Sequence, residues 1–177
     1  MRTLRRFYTG VNVRPHRDGF EVALDGRPIR TPLGVSLILP AEALAAAVAA
    51  EWEAQKAEIV PARMPLTGIA NTALDRVGSD RGSFRASVAA YGRSDLLCQR
   101  AEAPADLVRR QEEQWNPLLG WAAARFGARL AVGTGVMPIA QPGDAVAALE
   151  AAVAGLDDWT LAAAGVNETF DHYLPLV

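Results

Sequence analysis

Residues 64–77 read MPLTGIANTALDRV, and the periodicity of this stretch decides how the rest of the chain divides. Leu66, Ile69, Ala70, Ala73 and Val77 fall on one side of a 3.6-residue repeat, which predicts a helix with one buried stripe. Its other side is unusual. Thr67, Asn71 and Asp75 recur at intervals of four, and Thr72 with Arg76 makes a neighbouring pair, so little of this face resembles a solvating Lys/Glu coat. Either these groups tie the helix to another element by hydrogen bonds, or part of the row is a recognition surface.

Upstream, the two-residue period takes over. Phe20, Val22 and Leu24 alternate with polar or small residues, and Asp25-Gly26 signals a tight turn before a second strand over Arg27 to Thr31. Pro32 and Leu33-Gly34 mark another turn, Ser36 to Leu39 a last strand, and Val11 to Arg14 an edge. Three or four such strands are marginal alone and need a helix to cover them. Pro40 opens that helix, which is expected to run to about Lys56 with Leu44, Val48 and Trp52 on its inner face. Trp52 is expected to anchor it, while Glu51 either faces solvent or pairs with an arginine.

Downstream the pattern is helical. A helix is expected over about Ser79 to Tyr91, buried through Phe84, Val88 and Tyr91, followed by SDLLCQR, in which Asp95 can cap the turn at Leu96. From Pro104 a stripe of Val108, Gln111, Trp115, Leu118, Leu119, Ala122 and Phe126 continues to Gly127, a natural C-cap. Pro117 is expected to interrupt it, with Asn116 capping a fresh helix. Gln111 shares the stripe with Trp115 and is either a buried polar group with a dedicated partner or a boundary contact. Arg129 to Pro138 reads as a short strand or extended crossing, Pro142 and Asp144 begin a helix to about Gly155, and a short helix follows Asp157. After Gly165 helical regularity is expected to lapse. The chain thus reads as α+β, with a β-rich domain over residues 1–40, a connecting helix and proline-rich link over 41–65, and a helical domain over 66–177.

Composition narrows the function. The 177 residues carry a formal charge of -2, and a pI near 5.7 argues against a general polyanion binder. A contiguous stripe of Arg5, Arg6, Arg14 and Arg17 would instead point to nucleic acid. Cys98 is the sole cysteine, which rules out an internal disulfide, suits a reducing, cytoplasmic setting, and reads as a buried thiol. No apolar run approaches the roughly 18 residues of a membrane span. The two histidines, His16 and His172, lie in weakly patterned ends, so a Ser-His-Asp assembly is disfavoured and no metal-ligand spacing is present. Neither a catalytic group nor a cofactor is indicated.

Several motifs recur together and in order: EWEAQ at Glu51 to Gln55, MPLTGIANTALDRV, YGRSDLLCQR ending at Arg100, QEEQWNPLL from Gln111, and GVMPIAQP ending at Pro142. Their combination resembles the assembly chaperone family of F-type ATP synthase that acts on the alpha subunit of the catalytic headpiece, in its bacterial form. The resemblance implies a small β domain followed by a helical one, no enzymatic activity, no cofactor, no membrane insertion, and a monomer that covers unassembled alpha subunit until the beta subunit arrives. It nominates Glu51, Trp52, Gln55, Thr67, Asn71, Asp75, Arg76, Gln111 and Trp115 as partner-binding or domain-junction positions. It departs at the C-terminus, where LAAAGVNETFDHYLPLV stands in place of the family's further helices and acidic, tryptophan-containing tail, so a shortened or diverged form is expected. The competing readings are an adaptor for another protein and, further off, a small enzyme with an enclosed pocket.

Overall fold

The computed structural model describes residues 4–135 and 137–171, which fall into two compact units. The first holds the chain up to Arg81 together with the segment from Asp158; the second runs from Gly82 to Asp157. The architecture is α+β, strands coming first and helices after.

In the first unit, β1 (Leu4–Arg5) precedes the long hairpin of β2 (Val11–His16) and β3 (Gly19–Leu24), paired antiparallel from Val11 opposite Leu24 to His16 opposite Gly19. At Gly19 any side chain would run into the backbone of Leu39, so the close approach of the neighbouring strand requires glycine. The expected turn at Asp25-Gly26 forms with both residues at positive φ, 47° and 80°, the primed geometry that matches strand twist. The Asp25 carboxylate then accepts bonds from Gly10 N, Thr9 N and Thr9 Oγ1, which hold its pKa below the usual carboxylate range. Strand β4 (Arg27–Pro28) is shorter than expected because Arg30 meets Ser36 in an isolated bridge, after which β5 (Ile38–Leu39) returns to pair with β3.

Helix α1 (Glu42–Glu53) lies across β2 and β3 and buries Ala45 and Val48 against Val22, Leu37 and Leu39. Each large apolar side chain sealed here contributes about 1.5–3 kcal/mol of transfer free energy. The helix stops three residues short of the expected Lys56, and its end is tied to the N-terminal segment. Arg6 donates from Nη1 to the carbonyls of Glu53 (3.2 Å) and Gln55 (2.5 Å), and the Tyr8 hydroxyl donates to that of Trp52 (2.6 Å). Burial pushes the Tyr8 phenol up from its ordinary pKa. Strand β6 (Glu58–Ile59) then pairs with β1.

The organising stretch forms a helix in two windings: α2 (Pro65–Asn71) is ordinary, and Thr72–Val77 continues as a π-helix. The last helix of this unit, α6 (Asp158–Asp171), packs on both windings and buries Leu161 and Ala162, while Trp159 reaches the main core. Helical regularity therefore continues past Gly165, contrary to expectation, because six further residues extend the helix that the core already anchors.

The second unit contains most of α3 (Arg81–Ala90), whose Phe84 and Val88 are buried as expected, whereas Tyr91 is exposed. Asp95 caps the turn at Leu96 by accepting from Leu97 N at 2.8 Å. Strand β7 (Gln99–Arg100) follows, then α4 (Ala105–Phe126). Pro117 does not divide α4, which runs unbroken through it, so Asn116 is an interior residue and no cap. Gly127 ends the helix at φ 75°, the left-handed cap expected of it. Strand β8 (Gly133–Thr134) lies parallel to β7, and α5 (Gly143–Ala154) completes the unit. Among the described residues no helix is long and apolar enough to cross a membrane.

Candidate functional site

The nominated residues of the first unit meet where α1 hands the chain to α2. Glu51 is half-buried and, among the described residues, pairs with no arginine. It reaches from the last turn of α1 to the first turn of α2, where Oε1 accepts from Leu66 N (2.7 Å) and Oε2 from Thr67 N and Thr67 Oγ1 (both 2.8 Å). A carboxylate at a helix N-terminus satisfies amide donors that the first turn leaves without intrahelical partners, here those of Leu66 and Thr67, and it lies at the positive end of the helix dipole. Gln55, buried, makes the second brace: Nε2 donates to Glu51 O and Oε1 accepts from Val60 N. Trp52 packs against the core and meets the Tyr8 ring edge-on at 5.8 Å, as an anchor should.

Beyond Asn71 the π winding changes the phase of the helix, and the row of polar residues is broken. Asp75 is buried, and its partners Thr31 and Leu33 lie outside the helix. Its Oδ1 accepts from Thr31 Oγ1 (2.5 Å) and its Oδ2 from Leu33 N (3.1 Å), so the helix carboxylate grips the loop between β4 and β5. Thr72 donates instead to Gly68 O at 3.0 Å, one turn back. Asn71 is half-buried and Arg76 exposed. Of the row, then, Thr67 and Asp75 are internal fixtures.

The loop that Asp75 holds was legible in sequence only as a turn. Thr31 N donates to Val35 O, Gly34 N to Thr31 O, Val35 N to Thr31 Oγ1, and Arg30 Nη1 to Gly34 O at 2.7 Å. At its tip Leu33 is 73% exposed and Val35 43%. An apolar residue between Pro32 and Gly34, where turns ordinarily carry polar side chains, is the signal that could have found it. Leu4 and Phe7 are exposed on the same unit.

In the second unit Gln111 has a dedicated partner: its Oε1 accepts from Ala101 N at 2.9 Å. Trp115 lies beneath the Arg100 guanidinium, 5.2 Å from the ring centroid, a cation–π arrangement. Cys98 is buried, and that burial, reinforced by Asp95, pushes its thiol up from the ordinary pKa, the opposite of what a nucleophile needs. His16 accepts from Asp18 N at the β2–β3 turn, and His172 lies outside the described residues. Among the described residues no group of His, Cys, Asp and Glu could hold a metal ion. Three of the four arginines of the conditional basic stripe are engaged: Arg6 at the end of α1, Arg14 with Glu21 at 2.7 Å, and Arg17 with Asp18 at 2.9 Å, while Arg5 is exposed on β1.

The model of the ATP12 chaperone protein family matches residues 5–123. Among solved structures, Atp12 from Paracoccus denitrificans superposes with a TM-score of 0.79 at 44% identity, over 90% of this chain and 68% of that one. A D202K mutant of the same protein gives 0.78 over the same shares. The Atu1473 protein from Agrobacterium tumefaciens gives 0.85 at 38% identity, over 95% of this chain and 63% of that one. The chain thus spans about two thirds of the length of these relatives.

Proposed function

The chain belongs to the ATP12 chaperone family, and from that premise we propose that it binds the unassembled alpha subunit of ATP synthase and keeps it from aggregating, without ATP, until the beta subunit displaces it. The observation that carries this reading is the family match over residues 5–123, which includes the helix pair braced by Glu51 and the loop held by Asp75. An isolated subunit of an alternating ring exposes apolar faces to wrong partners. A chaperone of moderate affinity protects such a face and yields to the larger native interface by mass action.

The partner surface we assign to the first unit is the tip of the β4–β5 loop. Asp75 sets its geometry from behind through Thr31 and Leu33, and Leu33 and Val35 supply the apolar contact. A loop fixed before binding loses little conformational freedom on binding, so more of its contact energy appears as affinity.

The test is co-purification with separately expressed alpha and beta subunits, with alpha aggregation followed by light scattering. Soluble alpha retained in the absence of nucleotide, beta not captured, and alpha released when beta is added are the expected results. Aggregation of alpha at the same rate with and without the chain overturns the assignment.

A further inference from the structure

The second unit contains a cleft of about 300 Å³ between β7, β8 and α4, with Arg100 in its wall. Arg100 is 7% exposed, a degree of burial at which a guanidinium ordinarily has a carboxylate beside it. Among the described residues it has none. Its Nε donates to Leu97 O (2.7 Å) and its Nη2 to Asn116 Oδ1 (3.0 Å), both uncharged acceptors, and the Trp115 ring covers one face. A guanidinium has five N–H donors, so three are left, and Nη1, without an acceptor among the described residues, keeps some access to solvent.

The neighbouring amides add to the same imbalance. Gln111 and Asn116 also line the cleft, and each spends its oxygen internally, on Ala101 N and on Arg100. Those bonds fix which end of each amide is the acceptor, and the Nε2 and Nδ2 donors have no protein acceptor among the described residues. The cleft therefore holds surplus donors around a buried positive charge, with Val108 and Val132 as apolar wall. Glu112 at the exposed rim is the one carboxylate in its lining, and its charge opposes a doubly charged anion more than a singly charged one.

We propose that this cleft binds a carboxylate, received bidentately on Arg100 with Gln111 and Asn116 alongside. The inference is independent of which protein the chain chaperones, because it rests on the donor balance of the second unit. A charge-assisted fork of this kind is roughly twice as strong as a neutral hydrogen bond and is lost when the ligand is an amide.

The experiment uses the full chain and nitrogen-detected NMR, reading the Trp115 indole N–H, identified with Trp115→Phe, and the Arg100 Nε–H. The probes are N-acetylglutamate N-methylamide, its glutamine counterpart, sodium acetate, sodium phosphate, and a pentapeptide with one central glutamate between leucines. Saturable shifts with the glutamate probe, about tenfold weaker with glutamine, are expected. In Arg100→Lys, which keeps the charge but not the fork, the glutamate affinity is expected to fall while the rest of the spectrum is retained. A pentapeptide that binds more tightly than acetate assigns the site to a polypeptide side chain; acetate binding as tightly assigns it to a free carboxylate. Equal response to glutamate and glutamine, no response to either, or tighter binding of phosphate overturns the proposal, and the glutamate, glutamine and phosphate probes decide this on wild-type protein whether or not the variant folds.

Discussion

Glu51 shows what a single residue's sequence context does and does not reveal. Its place within EWEAQ marked it as a junction position, but a glutamate near a helix end has many available partners, and nothing local says that the next helix will begin within reach. The decisive fact is three-dimensional: the α1–α2 link brings Leu66 N and Thr67 N to the two carboxylate oxygens. Removing the charge leaves amide donors of the first turn underserved. Glu51→Ala is therefore expected to destabilise the fold by about 1–3 kcal/mol, and Glu51→Gln by less, since one oxygen acceptor remains. Urea unfolding followed by circular dichroism gives both values; a Glu51→Ala midpoint equal to wild type would mean that water replaces the carboxylate at no cost. Asp75 was harder still to read, because its partners Thr31 and Leu33 lie more than forty positions away.

At the scale of elements, long periodic segments were legible and their interruptions were not. The apolar period placed α1, α3, α5 and the strands of the hairpin, since each carries apolar residues spaced at its own period. The π winding after Asn71 left no mark in the sequence, because winding follows from what the helix grips rather than from propensity. Pro117 misled in the other direction. It removes one donor from the ladder and normally breaks a helix, but α4 continues on both sides of it, with Val108, Trp115, Leu119 and Phe126 half-buried and Leu118 of the expected stripe exposed. Pro117→Ala restores the bond to the carbonyl of residue 113 and is expected to stabilise the chain by up to about 3 kcal/mol. A raised thermal midpoint with unchanged helical content is the expected record. An unchanged or lowered midpoint would show that the restored bond adds nothing to the stability of the second unit.

For the whole molecule the question is which exposed apolar surface does the chaperoning. The first unit presents Leu33 and Val35 on a loop held by Asp75, Thr31 and Arg30. The second presents Leu118 and Trp121 on α4, a helix with no buried residue along its 22 positions. Area alone does not choose between them, because affinity depends on how little freedom the contact must surrender and how completely a side chain fills its pocket. By that criterion the braced loop is the better anchor. Leu33→Asp removes an exposed side chain, so folding stability is expected to change by no more than about 0.5 kcal/mol. Its loss from a binding hot spot is expected to raise the amount of chaperone needed to keep alpha subunit in solution about tenfold or more. Leu118→Asp with Trp121→Asp serves as the paired variant and is expected to protect alpha as wild type does. If the Leu33 variant protects alpha fully and the α4 variant fails, the working surface lies on the second unit, and the grip of Asp75 on its loop serves the fold alone.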